Sequence, residues 1–205
     1  VAINTTKRGT LTIGDGGIDL TARAVATSAT GDITLNGRVE IGSNSLPAVV
    51  INNSIRSDGV ITIAGGFYAP QGGATLVEGL AGVLVASPVQ VGHTFVDATS
   101  TAFVVTDADL TLVSSSGFVD ILDFSGNAAI PQAVQVTNML SIDAFADIFI
   151  DGQVFVGTRY GNVIDLVETV ALPNIFIRGQ ADITIGQTGQ LETSSYETDA
   201  DLHVN

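Results

Sequence analysis

The sequence predicts an all-β fold: a right-handed parallel β-helix of about eight coils, forming a single domain over residues 1–205. Three observations predict it. A Gly/Asp–apolar–Thr–apolar unit recurs along the chain. Further short apolar alternations fill the intervals between its copies. The composition is that of strands and turns, with 23 Gly, no Trp and only 6% aromatic residues, which suits a narrow rod filled by Val, Ile, Leu and Ala.

The elements follow in order. "GTLTIG" at 9–14 opens the series, and Ile18/Leu20 alternate after it. "GDITLNGRVEIG" at 31–42 carries Ile33/Leu35 and Val39/Ile41 around Asn36-Gly37. Alone this stretch reads as a hairpin with a type I′ turn. Among its repeats it reads as a coil corner, with Gly and Asn at positions that need φ > 0. Val49/Ile51, "GVITIAGG" at 59–66, Val83/Val85, Val89/Val91 and Phe103/Val105 continue the pattern. "DLTLV" at 109–113, Val119/Ile121, Val134/Val136, Ile148/Ile150, Val154/Val156, Ile175/Ile177 and "ADITIG" at 181–186 complete it. Each is bounded by Gly, Asn, Asp, Ser or Pro, and no amphipathic helix intervenes.

Taking Leu11, Ile33, Ile61, Val83, Leu110, Leu140, Ile164, Ile183 and Leu202 as the first inward residue of successive coils gives a mean period of about 24 residues. Period 2 within each unit sends Leu11, Ile13, Ile33, Leu35, Ile61, Ile63, Leu110, Leu112, Ile183 and Ile185 inward. Thr12, Thr34, Thr62, Thr111 and Thr184 then project outward from one repeated position. The same density of short strands also fits an antiparallel β-sandwich or jelly roll.

"GTLTIGDGGIDLTA", "GDITLNGRVEIGS" and "GVITIAGGFYAP" resemble coils of filamentous-haemagglutinin-type proteins. These are large bacterial β-helical exoproteins exported by two-partner secretion, among them adhesins and contact-dependent toxin carriers. The similarity is clearest over residues 9–66 and returns at 181–192. It implies an extracellular or bacterial-surface rod without a cofactor. The Asn-Pro-Asn motif of that family's secretion domain is not matched, so the resemblance is to the shaft. Phage tailspikes and autotransporter passengers share the style.

Charge and composition exclude several classes. The net charge of −14, from 7 Lys+Arg against 21 Asp+Glu, argues against nucleic-acid partners and against docking on anionic lipid. No run of 18 apolar residues occurs, so no membrane insertion is expected. No Cys means no disulfide and no thiolate metal site. The chain opens without a Met or a signal-type leader, which reads as a processed or excised piece.

Chemistry was sought in four places. His93 and His203, the two histidines, lie 110 residues apart. The Asp pairs Asp107/Asp109, Asp120/Asp123, Asp147/Asp151 and Asp199/Asp201 fit an acid/base pair of a carbohydrate-active β-helix, a hydrolase or lyase. Yet no Arg or Lys occurs between Arg56 and Arg159, and the favoured account of the pairs is that they sit at corners and on solvated faces. Asp143, Asp147 and Asp151 offer hard oxygen ligands for calcium. The Thr positions suggest an ice-binding face. No catalytic, cofactor or metal residue is nominated from these.

The favoured reading is a non-enzymatic rod, fibre subunit or adhesin shaft. Glycan-directed activity or binding is the alternative, and ice binding stands third. The partners expected are other copies of the chain, end to end, and cell-surface glycans. "VAIN" and "DLHVN" both read as strand. Val1, Ile3, Leu191, Leu202 and Val204 are therefore the expected residues of an end-to-end interface.

Overall fold

The computed structural model has three strands per coil, stacked in register so that each side of the coil forms one sheet. It describes residues 2–3, 10–13, 16–22, 31–43, 48–96, 103–123, 133–157, 174–194 and 201–204. The first coil comprises β1 (Ala2–Ile3), β2 (Thr10–Ile13) and β3 (Asp19–Ala22); the second, β4 (Ile33–Leu35), β5 (Arg38–Ile41) and β6 (Asn53–Ser57). The third has β7 (Val60–Ile63), β8 (Phe67–Ala69) and β9 (Gly73–Gly79). The fourth has β10 (Gly82–Val85) and β11 (Val89–Val91), then an excursion of β12 (Thr94–Val96) and β13 (Phe103–Val105), then β14 (Ala108–Ser114). The fifth has β15 (Phe118–Ile121), β16 (Val134–Val136) and β17 (Met139–Ala144). The sixth has β18 (Ile148–Ile150), β19 (Gln153–Gly157) and β20 (Asn174–Gly179); the seventh, β21 (Ile183–Ile185), β22 (Gln190–Ser194) and β23 (Asp201–Val204).

Three seven-stranded parallel sheets run the length of this right-handed β-helix. Sheet A takes the first strand of every coil, sheet B the second and sheet C the third. The β12–β13 hairpin is antiparallel and pairs only with itself. Among the described residues no helix is long and apolar enough to cross a membrane.

The fold class agrees with the sequence, but the period needs correcting. Among the described residues there are seven coils. Along sheet A the inward column is Ile33, Ile61, Val83, Val119, Ile148 and Ile183, separated by 28, 22, 36, 29 and 35 residues. The sequence anchors mixed sheets: Leu11 lies in sheet B, and Leu110, Leu140 and Leu202 lie in sheet C. Ile164 lies outside the described residues. An apolar-x-apolar triplet has the same form in all three sheets, so its spacing along the chain does not reveal which side of the coil it occupies.

The same mixing removes the single Thr face. Thr34 and Thr62 are neighbours in sheet A, but the next residue in that column is Leu84. Thr184 faces Phe149, and Thr111 belongs to sheet C between Leu76 and Ser141. Among the described residues no rank of Thr runs along the rod.

Alternation fills the core. Ile33, Leu35, Ile61, Ile63, Leu110 and Leu112 are buried, whereas Thr34, Thr62 and Thr111 are half-exposed. Burying each Ile or Leu stabilises the rod by about 1.5–3 kcal/mol. The expectation fails in the first and last coils: Ile13 is half-buried, and the side chain of Leu11 lies outside those described. Ile183 is half-buried, and Ile185 is 43% exposed although Ile150 and Ile121 in its column are at 0%.

Asn36-Gly37 turns the chain from sheet A to sheet B, as a corner and not a hairpin. The close approach at this corner requires glycine at the matching corner of the next coil: a Cβ on Gly65 would lie 2.3 Å from the Gly37 carbonyl carbon. Left-handed backbone is concentrated instead at the exit from sheet B, at Gly42 (φ 81°), Gly92 (φ 82°) and Gly157 (φ 128°).

Ser54 Oγ is buried without a hydrogen-bond partner, but other buried polar groups are satisfied between coils. Asn53 Oδ1 accepts from the Ile18 amide at 3.2 Å, and its Nδ2 donates to Thr75 Oγ1 at 3.1 Å. These bonds tie the first three coils together.

Ile61→Asp is expected to cost at least about 3 kcal/mol, because an unpaired carboxylate would replace a fully buried apolar side chain. Thr62→Ser, one residue away on the outer face, should change stability by less than about 0.5 kcal/mol. Urea unfolding of the two variants measures the difference.

Candidate functional site

The most developed surface feature lies on the outer face of sheet B. Arg38 and Glu40 are two residues apart in β5, so both point outward. Register then stacks Glu40, Tyr68 of β8 and Gln90 of β11 in one outward column over three consecutive coils. Arg38 Nη2 lies 2.6 Å from Glu40 Oε1. Its guanidinium carbon also sits 3.9 Å from the centroid of the Tyr68 ring, a cation–π contact.

His93 closes the group from the corner after β11. Gln90 Nε2 lies 3.1 Å from His93 Nδ1 and 3.3 Å from the Gly92 carbonyl oxygen. With the Gln90 amide donating, Nδ1 is the acceptor and the neutral ring carries its proton on Nε2. Burial lowers the His93 pKa from its ordinary 6.5.

These side chains enclose a cleft of about 220 Å³, floored by Gly42 and Pro70. A side chain at Gly42 has no space, since its Cβ would lie 2.6 Å from Ile51 Cδ1.

The hairpin β12–β13 begins directly after His93 and is fixed at its base. The His93 amide donates to Thr106 Oγ1 at 2.7 Å, and the Thr106 amide donates back to the His93 carbonyl at 2.9 Å. Thr106 Oγ1 donates to the Pro70 carbonyl at 2.9 Å, and Thr137 Oγ1 donates to the Thr106 carbonyl at 2.5 Å. The excursion is thus pinned to the third and fifth coils, and His93 is held by both its backbone groups.

The sequence analysis singled out His93 but not this cluster. Arg38, Glu40, Tyr68 and Gln90 are spread over 53 residues of chain and meet only through the 28- and 22-residue offsets of the coils. Aligning the chain on the inward column of sheet A would have brought Glu40, Tyr68 and Gln90 into line. His203 belongs to β23 in the seventh coil, three coils from His93, so the two histidines do not meet.

The Asp pairs occupy corners and outer faces. Asp147 and Asp151 flank β18 at opposite ends. Asp151 Oδ1 accepts from the Thr188 amide at 3.1 Å and the Thr188 hydroxyl lies 2.9 Å from it. Asp147 Oδ1 accepts from the Asp182 amide at 3.3 Å. Asp109 accepts from Asn138 Nδ2 at 2.6 Å, and burial raises its pKa above the ordinary carboxylate value. Burial, then the nearby Asp147, raises that of Asp120. Asp143 is paired with Arg178. Asp199 lies outside the described residues. Among the described residues no group of three or more His, Cys, Asp or Glu is placed to hold a metal ion.

The expected interface residues fall at the two ends of the rod. Ile3 is in β1, paired to Leu35, in the first coil. Leu191 (β22) pairs with Val154, and Leu202 and Val204 (β23) pair with Ile175 and Ile177, all in the last coil. Leu191 is half-buried and packs against the core. Val1 lies outside the described residues.

No protein-family model, curated protein or solved structure matches the chain.

The lowered His93 pKa has a definite sign. The unfolded chain takes up a proton on this ring near pH 6.5, before the folded chain does. The neutral ring therefore favours folding least at low pH, and stability falls as pH drops through and below that value. The imidazole signal of His93, followed by NMR, should titrate with a midpoint below 6.5, and His93→Gln should flatten that part of the stability profile.

Proposed function

We propose that this chain is a non-enzymatic structural protein, a β-helical rod that acts as a fibre subunit or adhesin shaft by end-to-end stacking of coils. One observation carries the reading: all three parallel ladders run unbroken through the described coils, and an inward position is sealed where a coil stacks on both sides of it and half-open where one stacks on a single side. Ile13, Ile18 and Leu20 in the first coil are half-buried, as are Ile183 and Leu191 in the last, and Ile185 is 43% exposed. Their column mates Ile41, Ile55 and Ile150 are at 0%. Among the described residues each end strand is paired on one side only.

Docking the last coil of one copy on the first coil of another would bury these residues and continue all three ladders, as in strand addition. The contact is head-to-tail, so repetition gives an open filament and not a closed ring.

The non-enzymatic part of the reading rests on the cleft's donor set. Glu40 is its one carboxylate, and it is held by Arg38. Glycoside hydrolysis ordinarily uses two carboxylates flanking the bond. An extracellular, bacterial-surface location fits the acidic, cysteine-free chain and the resemblance of its coils to secreted shafts.

The net charge of −14 opposes contact between copies. Raising salt from about 0.01 M to about 0.15 M shortens the Debye length from ~30 Å to ~8 Å, so added salt should promote assembly. Light scattering and electron microscopy are expected to find threads at the higher salt. Deleting residues 1–8 should abolish them and leave a folded monomer, whereas a laterally associated trimer would survive the deletion. A chain that stays monomeric at every salt and protein concentration would refute end-to-end stacking.

A further inference from the structure

We propose that the cleft formed by Arg38, Glu40, Tyr68, Gln90 and His93 binds one uncharged sugar unit of a glycan. The inference goes beyond the rod reading and does not depend on it.

The site is built and not incidental. Glu40, Tyr68 and Gln90 form one outward column across three coils, and His93 is fixed at the base of the one hairpin among the described residues that leaves the repeat. A rigid sheet face with a pinned excursion beside it is where a repetitive scaffold places a binding function.

Charge selects the ligand. Arg38 and Glu40 neutralise one another within the cleft, and burial favours the uncharged form of His93. An anion would meet a guanidinium already paired, on a chain of net charge −14 that repels it at long range. A cation would meet a carboxylate already paired. A ligand recognised through hydroxyls has neither difficulty.

The polar groups suit such a ligand. Gln90, whose Nε2 is engaged by His93 and the Gly92 carbonyl, offers its amide oxygen as an acceptor, Glu40 offers a second acceptor, and Tyr68 a phenol. Vicinal hydroxyls of a pyranose ring present matching donors and acceptors, and its C–H face can lie against the apolar edge of Tyr68. Size agrees as well. The cleft's 220 Å³ corresponds to about seven waters at ~30 Å³ each. That is room for one hexose of about a dozen heavy atoms, and less than a drug-sized pocket of roughly 300–1,000 Å³.

The chain has only two histidines, so the full-length protein labelled at histidine gives two imidazole signals, assigned with His93→Gln. Methyl glycosides of glucose, galactose, mannose and N-acetylglucosamine serve as probes, with glucuronate as the anionic counterpart. At least one neutral glycoside is expected to shift the His93 signal saturably, leave that of His203 in place, and outcompete glucuronate. Gln90→Ala, at a half-exposed position, should weaken that binding about tenfold in a chain that still folds cooperatively. Glu40→Gln, which keeps the side-chain shape, provides the second variant and should also weaken it.

Three results would each overturn the proposal. One is no saturable His93 shift with any neutral glycoside up to about 100 mM, where a site of roughly millimolar affinity is filled. Another is preference for glucuronate. The third is binding that neither folded variant weakens. Filament formation, read separately by scattering, has no bearing on these outcomes.

Discussion

Outside the β12–β13 hairpin, the strands of the inner coils obtain their main-chain hydrogen bonds from the coils directly above and below them, and the rest of the structure depends on that constraint. A parallel ladder holds its partners in register, so a position in one coil is fixed against the same position in the next. The core therefore consists of columns, such as Ile33, Ile61, Val83, Val119 and Ile148, each sealed by its neighbours. Polar interior groups obey the same rule. Asn53 and Thr75 satisfy each other across a coil boundary because register puts them opposite. A buried amide with no counterpart in the next coil would leave its desolvation uncompensated.

The constraint also explains what the sequence disclosed and what it concealed. Alternation is local, so Ile61, Thr62 and Ile63 announced their own directions. The corner at Asn36-Gly37 was legible because the units around it repeat, and a hairpin has no reason to. The coil length was not legible. Leu11, Leu110 and Ile183 have the same triplet form but sit in sheets B, C and A, since each side of the rod asks the same of its inward residues. Residues that leave the repeat, such as the β12–β13 hairpin, resembled ordinary strand signals in one dimension.

The cleft was hidden for a related reason. Paired carboxylates and histidines were sought along the chain, where Asp147 and Asp151 stand close together. The fold sends those two to opposite ends of β18, where they hold the turns of the next coil. Chemistry on a solenoid assembles across coils, along the axis. Glu40, Tyr68 and Gln90 are neighbours only once the offsets of 28 and 22 residues are known. Among them only Tyr68 is a residue type that draws notice in a strand, and Gln90 carries no signal of its own.

The direction of the ladders has a mechanical consequence. Their hydrogen bonds run along the rod, so a pull on its two ends is borne by one seam between coils after another. Within a seam the three strand pairs share the load, and no single bond carries it alone. The seams themselves act in series, and the weakest sets the force at which the rod parts. The β12–β13 hairpin pairs only with itself and joins the neighbouring coils through the bonds of Thr106 at its base. Tension at the fourth coil therefore passes through the strand pairs of β10, β11 and β14, and the two hairpin strands bear little of it.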